Sequence, residues 1–251
     1  MLIEFSGPSA SGKTEFVRYL LKTWPETRSV RRSVSSTASP IGPKLRAAVS
    51  HAHEAPRVFW NANKWHKHGL GLSNNPVRAS LRMAVEYSLL KGLSQDARLW
   101  LLDQGRLQLG SWLPQEIAGD PVPHTQSLKN CIQIGRGIVL FSLQADFLLA
   151  RIGQRGDFDR ATKMACARGY SSLRSYCHRL RQQEEEKIKL ARVFGSAVLI
   201  IKIDKDGGVA ETKVHGRGLE YDEALNSIAA AFRSWWDPFT LLTGHQGTKH
   251  D

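Results

Sequence analysis

This chain of 251 residues lacks long apolar runs, paired cysteines and any basic block of five or six residues. No window reaches the roughly 18 consecutive apolar residues that cross a bilayer, so no membrane partner is expected. No basic segment leads into an apolar core and cleavage site at the start, and the expectation is a cytoplasmic protein. Three cysteines, Cys131, Cys166 and Cys177, form an odd set without C-x-x-C spacing. That excludes a disulfide framework and reads as reduced thiols. The histidine pairs His51/His53 and His66/His68 are two apart, so neither pair shares a helix face. No cysteine or acidic pattern nearby completes a metal set. Internal repeats and low-complexity linkers are also missing. One domain over residues 1–243 is expected, with 244–251 as a disordered tail.

The charge is unbalanced. Thirty-five Lys and Arg stand against 23 Asp and Glu, a net +12, which attracts polyanions. The ligands that fit are nucleotides, phosphorylated metabolites or nucleic acid. Residues 7–14 then read Gly7-Pro8-Ser9-Ala10-Ser11-Gly12-Lys13-Thr14, a complete G-x-x-x-x-G-K-[ST] loop. It follows the apolar run Leu2-Ile3-Glu4-Phe5 and precedes Glu15-Phe16-Val17-Arg18-Tyr19-Leu20-Leu21, a helical pattern. Glycines let backbone N–H groups turn inward around phosphate oxygens, and the helix start adds its positive end. Gly7 to Thr14 are therefore the expected residues for binding a nucleoside triphosphate. Lys13 can reach the β- and γ-phosphates, and Thr14 can ligate Mg²⁺.

The rest alternates strand and helix. Strands are expected at 2–6, 28–34, 98–103, 137–142 and 197–203. The last three hold near-continuous apolar runs, as strands buried on both faces do. Helices are expected at 13–22, 43–53, 78–92, 145–152, 171–193 and 221–235. Helix 78–92 would bury Leu81, Ala84, Val85 and Leu89, and Trp235 and Trp236 would close the last helix against the body. This alternation predicts an α/β fold, a doubly wound and mainly parallel five-stranded sheet flanked by helices. Segments 54–77 and 112–130 read as irregular insertions. Trp60 and Trp65 in the first either stack on a base or sugar or pack beneath the loop.

Two further groups belong with the loop. The strand Leu99–Leu102 runs into Asp103, placed to ligate Mg²⁺ or to accept a proton from an attacking hydroxyl. Arg151 and Arg155 are four apart at a helix end, with Gly153 and Gly156 beside them and Arg160 and Arg168 beyond. Residues 151–169 read as an arginine-bearing lid that neutralises the transferring group and excludes water. Lys13, Asp103, Arg151 and Arg155 are the candidate catalytic residues; Thr14 and Asp103 are the candidate metal ligands.

The pattern resembles the thymidylate-kinase-like group of P-loop nucleoside and nucleotide kinases. The resemblance rests on Gly7–Thr14 at the extreme N-terminus and on Asp103-Gln104-Gly105 after a later strand. It also rests on the strand, short helix and Arg-x-x-x-Arg-Gly of Leu140 to Gly156. Ser39-Pro40-Ile41-Gly42-Pro43-Lys44-Leu45-Arg46 is a weaker echo of the family's run after its second strand. The resemblance implies a P-loop NTPase fold, Mg-ATP as donor, a nucleoside or nucleotide-like acceptor across the sheet edge, and often a homodimer. Gln104 stands where the family has arginine. A hydroxyl on a sugar, nucleoside or modified base is therefore as open as a nucleoside monophosphate. A polynucleotide acceptor and a nucleotide-hydrolysing switch are the alternatives, with Arg78 and Arg82 as further phosphate contacts or surface residues. No N-K-x-D run specifies guanine.

Overall fold

Continuous apolar runs build the centre of a sheet. The computed structural model describes residues 1–8, 10–25, 27–31, 52–67, 76–95, 97–103, 137–156, 158–167, 169–182, 197–215 and 219–236. Their order is β1 (Leu2–Ser6), α1 (Lys13–Thr23), β2 (Arg28–Arg31), a 3-10 turn (Ala52–Glu54), α2 (Ala55–Lys67) and α3 (Pro76–Ser94). Then come β3 (Trp100–Asp103), β4 (Gly137–Leu143), α4 (Ala145–Gln154) and α5 (Phe158–Ala167). Helical residues 173–182 form α6. The chain continues through β5 (Ala197–Ile203), β6 (Val209–His215) and α7 (Leu219–Trp235). Every residue of β1 and β3 is buried, as is all but one residue each of β4 and β5. Both faces of these strands are therefore covered, as in α/β folds.

The strands lie in the order β2-β3-β1-β4-β5-β6. The first five positions in that order pair in parallel, and β6 runs antiparallel to β5. The fold is thus α/β with a mainly parallel sheet, and the expected strand number of five becomes six among the described residues. The added strand comes from a tight hairpin. Gly207 takes φ +84°, which favours glycine. Asp204 Oδ1 accepts the amides of Asp206 at 2.9 Å and Gly208 at 2.8 Å.

β6 has a topological consequence. It returns the chain to the edge where the parallel strands begin, and there the Tyr221 ring lies 3.1 Å from the position a Cβ on Gly137 would take. The last helix, α7, then travels in the same direction as the parallel strands and reaches their C-terminal edge. Leu225, Ile228, Ala229 and Phe232 are buried along it. Phe232 and Trp235 meet Phe16 of α1 with ring centroids 5.1 Å apart in each case. Phe16 also contacts Phe5 and Phe141 edge-on. Burying an aromatic ring of this kind is worth roughly 3–5 kcal/mol against alanine.

Segment 54–77 is not irregular throughout. It holds α2, with Pro56 in its first turn, and the start of α3 at Pro76. Proline fits a first turn because its missing N–H has no partner to lose there. Glu54 ties the two helices together. It accepts the Tyr87 hydroxyl at 3.1 Å and the Arg57 guanidinium at 3.2 Å, and it pairs with Lys91. That pairing raises the Lys91 pKa. In α3, Ala84, Tyr87, Ser88, Leu89, Leu90 and Leu93 are buried, whereas Leu81 and Val85 are exposed. The inner face is therefore rotated from the expected one, with Tyr87 and Lys91 turned to Glu54 of the 3-10 turn. The second half of the expected lid is helix α5. Helix 43–53, apart from its last two residues, lies outside the described residues. So do strand residues 32–34, segments 39–46, 112–130, 183–193 and 244–251, residues Ser9, Gln104 and Arg168, and the side chains of Trp65, Arg78 and Arg82.

Candidate active site

β1 is the strand at which the winding reverses. From β1 the chain goes out to β2 and back to β3 on one side; from β4 it continues to β5 on the other. A crevice opens outside the carboxyl ends of strands at such a point. The loop Gly7–Gly12 occupies it. A Cβ on Gly7 would lie 2.8 Å from the Phe141 Cβ and 3.1 Å from its carbonyl oxygen, so the loop touches β4 at a place only glycine fits. Ala10 has φ +66° and Gly12 φ +83°. For a residue with a Cβ, the first is a strained conformation of the sort that clusters at binding sites. Gly12 has no side chain to cap α1, and the first amides of a helix have no partner within the helix. That is the arrangement that receives an anion.

Lys13 is buried, and its ammonium donates to the Pro8 carbonyl at 3.0 Å across the loop. The Ser11 hydroxyl is buried and has no hydrogen-bond partner among the described residues. Thr14 Oγ1 donates to Asp103 Oδ2 at 2.9 Å. Asp103 is 6% exposed, and its Oδ1 has no hydrogen-bond partner among the described residues. A buried carboxylate oxygen without a partner costs about 1–3 kcal/mol or more, and a cation would satisfy it. Thr14 and Asp103 together offer hard oxygen donors of the kind Mg²⁺ takes. Among the described residues no group of three or more His, Cys, Asp or Glu could hold a metal by itself. The donor set therefore fits an ion that arrives with phosphates.

Arg151, in the last turn of α4, reaches the other side of the loop. Its guanidinium lies 4.0 Å from the position a Cβ on Gly12 would take. Burial and the neighbouring Arg155 lower its pKa, while Glu15 opposes them. Arg155 itself is exposed on the turn that ends α4. Gly156 follows with φ +67° and open space around it. The Asp146 carboxylate of α4 accepts from Arg174 at 2.9 Å, tying α6 to α4. The structure thus brings Gly7, Pro8, Ala10 to Thr14, Asp103 and Arg151 together, with Arg155 at the rim.

One contact was not legible from the residues. Trp235 and Trp236, at the end of α7, each come within 3.6 Å of that same Cβ position on Gly12. The Trp236 indole N–H donates to the Gly207 carbonyl at 2.6 Å, so the β5–β6 turn belongs to this corner. The available signal was Asp206-Gly207, a hairpin dipeptide.

No protein-family model matches the chain, and no curated protein matches it in sequence. Among solved structures it is similar to a chain of the PezAT chromosomal toxin–antitoxin system of Streptococcus pneumoniae. The identity is 12%, the match covers 93% of this chain and 86% of that one, and the TM-score is 0.37. It is also similar to the YGR205w protein at 13% identity, covering 87% of this chain and 90% of that one, with a TM-score of 0.35. Overlap of this extent assigns neither neighbour's activity to the chain.

Proposed function

We propose that the protein is a P-loop phosphotransferase that moves the γ-phosphoryl of Mg-ATP to a hydroxyl or phosphate of a nucleoside, nucleotide or related small molecule. The observation that carries this reading is the Thr14–Asp103 hydrogen bond at 2.9 Å, with the second Asp103 oxygen left for a cation beside an uncapped helix start. Backbone N–H groups between Gly7 and Thr14, Pro8 excepted, hold the phosphates, and Lys13 exchanges its Pro8 carbonyl for phosphate oxygens. Thr14 and Asp103 would hold Mg²⁺, which would supply positive charge against the phosphates. The acceptor oxygen bonds to the γ-phosphorus as the bond to the bridging β–γ oxygen breaks, and ADP leaves. Asp103 supplies the second metal contact or takes the acceptor's proton. Arg151, joined by Arg155, neutralises charge in the transferring group. Little covalent chemistry is asked of the protein, so positioning and charge dominate.

The test is transfer of label from γ-labelled ATP with Mg²⁺ to a panel of nucleosides, nucleoside monophosphates, sugars and hydroxymethylated DNA. Label in one small molecule, lost in Lys13→Ala, is the expected result. Label only in free phosphate points to a nucleotide-hydrolysing switch. A second reading, a polynucleotide acceptor, is favoured by the net charge of +12 and by exposed Arg155, Arg160 and Lys163. It requires nucleic-acid binding that weakens steeply with salt, together with label in the polymer.

A further inference from the structure

We propose that Trp235 and Trp236 form the subsite for the donor's nucleobase, an aromatic wall at the end of α7. The inference rests on the phosphotransferase reading above and adds the place and chemistry of base recognition.

Asp103 lies on β3, to one side of β1, and its bond to Thr14 sets the metal and the transferring end of the triphosphate on that side. The base end must leave the loop on the other side, over β4 and the first turn of α1. Three groups converge there on the side of Gly12 where a Cβ would stand. Trp235 and Trp236 come within 3.6 Å of the position a Cβ would take, and an Arg151 terminal nitrogen within 4.0 Å. The two indole rings are 5.9 Å apart and tilted by 58°, so they form a corner rather than a stack. Trp236 is 7% exposed and pinned by its indole N–H to Gly207. Trp235 rests on Phe16 and Tyr19, with centroids 5.1 and 6.2 Å away, yet stays partly exposed.

Electrostatics separate the two ends of the ligand. The start of α1 carries the positive end of its dipole and takes the phosphates; the end of α7 carries the negative end of its own and disfavours them. A neutral planar base suits that end, and the Arg151 guanidinium beside it can stack on a heterocycle. An indole wall grips any base by its π-face without reading its edge. The donor site should therefore discriminate weakly between adenine and guanine.

Calorimetric titration of ATP, GTP and inorganic tripolyphosphate, each with Mg²⁺, tests this on the full chain and on Trp235→Leu and Trp235→Phe. Leucine keeps an apolar side chain but removes the plane; phenylalanine keeps a plane. The expected result is ATP and GTP affinities within about fivefold of each other in the unaltered protein. Trp235→Leu should weaken both by about fivefold or more, Trp235→Phe by no more than about twofold, with tripolyphosphate unchanged in all three. Unchanged ATP affinity in Trp235→Leu overturns the proposal. Equal loss of ATP and tripolyphosphate overturns it too, since Trp235 would then only support the loop. Binding of tripolyphosphate as tightly as ATP by the unaltered chain removes the base subsite and leaves the phosphate loop standing. Binding of none of the three removes the phosphotransferase reading and this proposal together.

Discussion

Alanine at Gly7 tests whether the loop is held by contact with β4. The added Cβ would meet the Phe141 Cβ at 2.8 Å and the Phe141 carbonyl at 3.1 Å. Carbon atoms prefer about 3.5–4.0 Å, and neither partner is the end of a flexible side chain. Phe141 sits mid-strand, paired with Ile201 of β5. Overpacking of this kind costs about 1–3 kcal/mol, and holding the non-glycine backbone in its present conformation adds about 1–2 kcal/mol. A loss near 3–4 kcal/mol lowers the melting temperature of a chain this size by about 10 °C. Gly156→Ala is the internal control. Its φ is +67° but no atom of the described residues lies within 4 Å of the new atom, so backbone strain of about 1–2 kcal/mol is what remains. Thermal and urea melts of both variants, with ATP titrations, measure the difference. If the loop relaxes instead of the sheet, stability recovers but the amides leave their phosphate positions and ATP affinity falls. Gly7→Ala no less stable than Gly156→Ala, with ATP affinity intact, refutes the close-contact argument.

Lys13→Ala should lower turnover at least about 100-fold while leaving circular dichroism unchanged; near-normal turnover with an intact fold removes it from the site. Asp103→Asn keeps an acceptor for Thr14 and deletes a buried charge. Melts should therefore show no loss of stability, while Mg²⁺-dependent turnover drops by about 10²-fold or more; equal activity would dismiss the metal role. Burial pushes the Cys177 thiol from 9.0 up to about 11. The unfolded chain then releases this proton first, so stability falls as pH rises from about 9 toward 11, by at most about 1.4 kcal/mol per pH unit. Urea melts at pH 8.5 and 10.5 should show a shallower decline in Cys177→Ala than in the unaltered chain; identical slopes would contradict the shift.

Much of the site was readable because short-range chemistry dictates it. The loop needs its glycines and lysine at fixed spacing, and Asp103 ends an apolar run that can only be a buried strand. Arg151 was readable as a cation at the end of a helix, but not as a partner of Gly12, since that contact depends on how α4 packs beside the loop. The helix α2 was hidden by its aromatics and by Pro56, which reads as a breaker until its place in the first turn is known. The strand β6 was hidden by weak alternation, and with it the reversed course of α7. Leu81 and Val85 match a helical stripe, yet the ion cluster at Glu54 turns other residues inward.

The course of α7 also decides where probes can be attached. The α-amino group of Met1 donates to the Arg98 carbonyl at 2.9 Å, at the edge where the parallel strands begin. Trp236 lies at the opposite edge, beside Gly12. A fluorophore or affinity handle joined just after Trp236 therefore starts out next to the phosphate loop, where it can obstruct nucleotide entry or report on it. The same handle ahead of Met1 is separated from the loop by the length of β1.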